Sequence, residues 1–180
     1  MNRWSKLFFS ATIPLLIFAA DKNNFSNPHT IYSDVGADKK QISDMLDAFH
    51  AAAAKADFEE YFNYFTEDAV FIGTDATENW SKKDFMAFSK TYFDRGSAWS
   101  FTSLDRHIYF GNNNDIAWFD ELLNTQMKIC RGSGVVVEQN NEWKVQQYVL
   151  SMTIPNSESD EIIKIKTNIE DSIIRSLSGK

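Results

Sequence analysis

Three side chains of this chain, Asp120, His107 and Tyr148, have the types and positions that acid–base chemistry needs. A carboxylate set among apolar walls is pushed up in pKa toward values suited to taking a proton next to a carbonyl. A phenol or imidazole beside it could polarise the substrate oxygen. In the run from Ile116 to Leu123, alternation puts Ile116, Trp118, Asp120 and Leu122 on one strand face and Phe119, Glu121 and Leu123 on the other. With the Trp118 face turned inward, Asp120 becomes a carboxylate among aromatic walls. Trp118, Tyr109, Arg131, Trp80, Asp75 and Gln147 then complete a candidate ligand pocket. His107 has Asp105 and Tyr109 two residues to either side, so the three share a face. The same residues allow a structural alternative, a buried pair of Asp120 with Arg131 that fixes sheet curvature.

Other chemistries lack their signatures. Cys130 is the sole cysteine, with no spacing for a metal site, so no metal or cofactor is expected. There is no Gly-x-Ser-x-Gly elbow, P-loop or dinucleotide glycine pattern. Gly132-Ser-Gly134 reads as a bulge within a strand.

Positioning these residues falls mainly to four long strands predicted at 98–110, 115–127, 129–139 and 142–154. Turn chemistry separates them at Gly111–Asp115, near Met127-Lys128 and at Gln139–Glu142. Upstream, Ile42, Met45, Leu46, Phe49, Ala52 and Ala53 recur at helical spacing over 39–56, with Asp38 as the expected N-cap. A second helix restarts at Asp57, a short strand covers 69–72, and Ser81 opens a third helix carrying Phe85, Phe88 and Tyr92. His50, beside Phe49, reads as structural. An amphipathic helix over 157–177 closes the chain with the stripe Ile162, Ile165, Ile169, Ile173 and Leu177.

The chain has 180 residues, 15 Phe, 6 Tyr, 5 Trp and a formal charge of −7. Its first 20 residues hold Arg3 and Lys6 but no acid, so the remainder is more acidic still. Such a domain has no electrostatic footprint for nucleic acid or for an anionic membrane surface. The basic start followed by the apolar run Leu7 to Ala20 is a secretory signature, which predicts a periplasmic or secreted protein. The expected organisation is a signal over 1–20, a polar leader over 21–38, one domain over 39–155 and a C-terminal helix over 156–180.

Several stretches together resemble the SnoaL-like branch of the nuclear transport factor 2-like (NTF2-like) superfamily. They are Tyr61–Val70, Gly73-Thr-Asp75, Ala117–Glu121, Arg131–Val135 and Trp143–Ser151. The resemblance implies an α+β cone, with three helices packed on a strongly curved, mainly antiparallel sheet, and frequent homodimers. Relatives range from isomerases, cyclases and dehydratases to binding or assembly domains without catalysis. One departure bears on activity. Many relatives carry a His two residues before the Ser of the last strand, where this chain has Val149. Three functions follow as expectations: binding of a small, partly apolar ligand by an exported dimer; an isomerase, cyclase or dehydratase with Asp120 as base; or a structural self-association module.

Overall fold

The computed structural model describes residues 35–112 and 114–179. The predicted signal and most of the predicted leader lie outside the described residues. Four α-helices and six strands follow in the order α1 (Val35–Ala54), α2 (Phe58–Asn63), β1 (Phe65–Ile72), β2 (Asn79–Ser81), α3 (Lys82–Asp94), β3 (Thr102–Phe110), β4 (Ile116–Thr125), β5 (Lys128–Gln139), β6 (Glu142–Met152) and α4 (Ser159–Ser178). The fold class is α+β, with a curved, unclosed mixed sheet of order β2-β1-β6-β5-β4-β3. Only β1 and β6 run parallel; the other neighbours are antiparallel.

Local chemistry explains the boundaries. The Asp57 side chain accepts from the Glu60 N–H and caps α2, and Ser81 accepts from the Asp84 N–H and caps α3. Asp38 is not the cap expected of it. Helix α1 begins at Val35, which puts Asp38 in its first turn and shortens the leader. Asn140 and Asn141 hold φ of 55° and 63°, the paired left-handed geometry of a tight hairpin between β5 and β6. Between β4 and β5 the turn ends on Lys128 at φ 71°.

The sequence reading does not include the short strand β2, and two of the predicted strands begin elsewhere than that reading places them. Strand β1 begins at Phe65 rather than 69, because the Tyr64 carbonyl already accepts from the Val145 N–H at 2.7 Å. Strand β3 begins at Thr102 rather than 98, which releases Trp99 and Phe101 to turn into the core.

That core is aromatic. Phe49 stacks on Tyr61 at 4.5 Å between ring centroids, and Phe71 stacks on Phe85 at 3.9 Å. Phe65, Phe119 and Tyr148 pack into the same cluster from the sheet. The helices therefore rest on rings, and most of the hollow a curved sheet would leave is filled.

Candidate functional site

The buried face of β4 carries Ala117, Phe119, Glu121 and Leu123; Trp118 and Asp120 point the other way. This reverses the face expected from the sequence. The carboxylate inside the fold is Glu121, which is 0% exposed. Three elements supply its partners. His50, from the last turns of α1, places Nε2 2.9 Å from Glu121 Oε1. Tyr148 of β6 donates to the same oxygen at 3.0 Å. Arg106 of β3 donates to Oε2 through Nε at 2.9 Å and Nη2 at 2.8 Å. Arg106 Nη1 also reaches the Ser43 carbonyl and hydroxyl, and Nη2 lies 2.9 Å from Asp47. Four hydrogen bonds, two to Glu121 and two to Ser43, together with the ion pair to Asp47, thus let Arg106 pin α1 to the sheet.

Glycine makes the cluster fit. A Cβ at Gly132 would overlap Tyr148 Oη and lie 3.0 Å from Glu121, and a Cβ at Gly134 would overlap the Gln147 carbonyl and press on Phe119. These glycines leave room on the inner face. The irregularity expected of them lies next to them, between Val135 and Val136, where Gln146 of β6 is left without a partner in register. That extra residue shifts the parity of β6. Trp143 and Val145 face in before it, Tyr148 and Leu150 after it.

The electrostatics follow from this packing. Burial alone would push the Glu121 carboxyl up, but the hydrogen bond and charge of His50 and the Arg106 guanidinium outweigh it and hold the group below its ordinary value. Burial, then the charge and hydrogen bond of Glu121, push the Tyr148 phenol well above its ordinary value. Glu121 is therefore an anion and Tyr148 a neutral donor. Facing an anion, His50 Nε2 carries a proton. Its Nδ1 is buried without a hydrogen-bond partner among the described residues.

The other sequence-predicted residues lie in three places. Asp120, His107, Tyr109 and Trp118 gather on the outer face of the sheet. There His107 Nδ1 is 3.2 Å from Asp120, whose side chain is 45% exposed, and Tyr109 stacks on Trp118 at 6.0 Å. Arg131 is exposed opposite Leu122 and Ser151, so it does not pair with Asp120, and Gln147 sits opposite Val135. Asp75 is exposed and accepts from the Thr77 N–H and hydroxyl, closing its own loop; these bonds lower its pKa. Trp80 belongs to the short strand β2.

Around Trp80 the structure shapes a largely apolar pocket of about 120 Å³, lined by Phe85, Phe88, Trp99, Met127 and Leu150 together with the polar Thr74, Glu78 and Gln126. Trp80 stacks on Phe88 at 4.5 Å and on Phe85 at 5.6 Å, and Phe85 stacks on Trp99 at 5.7 Å. A second, open groove of about 710 Å³ runs between α1 and β3 past Asp47, His50, Asp105 and Arg106. Among the described residues no group of three or more His, Cys, Asp or Glu is placed to hold a metal ion.

A profile of the SnoaL-like domain matches residues 42–155, well over half of the chain. The chain belongs to the SnoaL-like domain family. Solved structures of NTF2-like proteins agree with the fold. This SnoaL-like chain is 13% identical to an NTF2-like protein of unknown function from Pseudomonas putida KT2440, at a TM-score of 0.57 over 68% of this chain and 90% of that one. It is 15% identical to a proposed dehydratase of the NTF2-like family from Streptomyces avermitilis, at 0.58 over 67% and 99%. It is also 15% identical to a domain of unknown function with a cystatin-like fold from Nostoc punctiforme PCC 73102, at 0.57 over 80% and 98%. At these identities the likeness is one of fold. No curated protein matches the chain.

Of the cluster inside this SnoaL-like domain, only Tyr148 is a sequence-predicted catalytic residue. His50 does carry a signal, since it follows Leu46 by four residues and precedes Ala53 by three, on the apolar face of α1. Arg106 and Glu121 face each other across the β3–β4 hairpin, which only the strand register reveals, and their other partners come from elements far apart in sequence.

Proposed function

We propose that this SnoaL-like protein is exported, forms a dimer, and binds one small, flat, largely apolar ligand in the pocket around Trp80. The pocket itself carries the reading. Its walls are mainly stacked rings, its volume is close to that of a dry cavity of about 150 Å³ that accepts benzene, and Thr74, Glu78 and Gln126 suit a polar substituent on the ligand. The ionisable cluster takes no part in it. Glu121 is closed off, and Arg106, with its side chain 7% exposed, is committed to Glu121, Ser43 and Asp47.

Titration with toluene and with benzyl alcohol, followed by tryptophan fluorescence, tests the binding. Saturable quenching is the expected result; no response to either compound contradicts the reading. Export is tested by sequencing the mature amino terminus in the native host, with a start just after Ala20 expected.

A second reading has one observation in its favour. His50 and Tyr148 both bond Glu121 Oε1, and His50 Nδ1 has no partner among the described residues, an arrangement that acid–base catalysis of the isomerase or dehydratase kind could use. It requires the α1–β3 groove to open onto His50, which is 3% exposed. In this reading Glu121 and His50 take the place of Asp120 and His107.

A further inference from the structure

Helix α4 buries none of its residues, although Ile162, Ile165, Ile169, Ile173 and Leu177 recur along one side. Ile163 and Ile174 flank them at 57% exposure each, and Ile165 reaches 72%. At 100° per residue this apolar surface covers about half the helix circumference. A helix of 20 residues with no tertiary support from the described residues is marginal in water, so a surface of this kind calls for a partner.

The charges on the stripe say which partner. Lys166 and Glu170 lie within it rather than on the opposite face, paired at 2.8 Å. We propose that α4 packs antiparallel against α4 of a second copy, about a two-fold axis beside Asn168. This rests on the dimer proposed above and names its surface. In that arrangement residues equally far from Asn168 on either side face each other. Lys166 meets the partner's Glu170, and Glu170 meets the partner's Lys166, giving four charges of alternating sign. Ile162 meets the partner's Ile174, and Ile163 meets the partner's Ile173. The two helix dipoles, running in opposite directions, also oppose each other favourably. A parallel pair in register would instead set Lys166 on Lys166 and Glu170 on Glu170. The stripe is self-complementary in the antiparallel sense alone.

Full-length Lys166→Glu and Glu170→Lys variants test this by sedimentation at tens of micromolar, with circular dichroism as the folding control. Wild type is expected to be a dimer, and each variant alone to dissociate at least ten times more readily. An equimolar mixture of the two is expected to restore the dimer, since the two acids of one chain then face the two lysines of the other. Repulsion within each helix persists in the mixture, so restoration reports on pairing between chains. Variants as dimeric as wild type, or a mixture that stays monomeric, would overturn the pairing while leaving the dimer standing on another face. A monomeric wild type would overturn both. A monomer that co-sediments with phosphatidylglycerol vesicles would assign the stripe to a lipid surface and likewise overturn the pairing.

Discussion

Tyr148 and Glu121 meet 3.0 Å apart at the point on the inner sheet face where Gly132, between their strands, has no side chain. The glycine, the phenol and the carboxylate form one packing unit.

Gly132→Ala tests that unit. The added methyl overlaps Tyr148 Oη, and overpacking of this kind costs about 1–3 kcal/mol. Tyr148→Phe removes the overlapping oxygen. The double variant is therefore expected to be more stable than the sum of the two losses, as read by urea denaturation. Strict additivity would separate Gly132 from the cluster.

Glu121 and Asp120 are chain neighbours on opposite faces, and their amides separate the two roles. Glu121→Gln strips the negative charge from beside Arg106 and His50 and is expected to cost about 3 kcal/mol, as for one partner of a buried ion pair. Asp120→Asn, on the outer face, is expected to stay within about 0.5 kcal/mol. Chemical denaturation of both variants checks the contrast. Equal losses would contradict the placement.

Acid should act through Glu121. Its folded-state pKa lies below the ordinary glutamate value of about 4.3. The stability it contributes is complete above that ordinary value and is lost as pH falls through the lower folded value. Urea midpoints measured from pH 7 to pH 3 should therefore drop for wild type in the acid limb, with a shallower drop for Glu121→Gln. Parallel acid limbs would assign the acid sensitivity to other groups.

Lys128 ends the β4–β5 turn in the left-handed region at φ 71°, where a side chain is strained. Lys128→Gly is expected to raise stability by about 0.5–1 kcal/mol, visible as a higher melting temperature. A fall would show that the lysine side chain matters more than its backbone.

The legibility of this chain follows from the range of each interaction. Helices and hairpins rest on signals within a few residues, so Ser81, Asp57 and Asn140-Asn141 can be read directly. Alternation tells which residues of β4 share a face but not which face is inner. Trp118 draws the choice to the wrong side, whereas the small Ala117 and the partners waiting for Glu121 decide it in the fold. In β6 the extra residue at Gln146 breaks the period, so Tyr148 falls outside the inward set that simple alternation gives. The glycines of β5 signal that something unusual happens there. What they make room for comes from β4 and β6 and has no local trace.

The pocket around Trp80 is the centre of the functional account, and filling it is the most direct test. Met127 stands in its wall, so Met127→Trp should occupy the space with little change elsewhere. Saturation-transfer NMR with toluene compares the variant with wild type, with thermal melting as the folding control. The account predicts transfer to toluene from wild type and none from Met127→Trp. Equal transfer in both, or none from wild type, would contradict it.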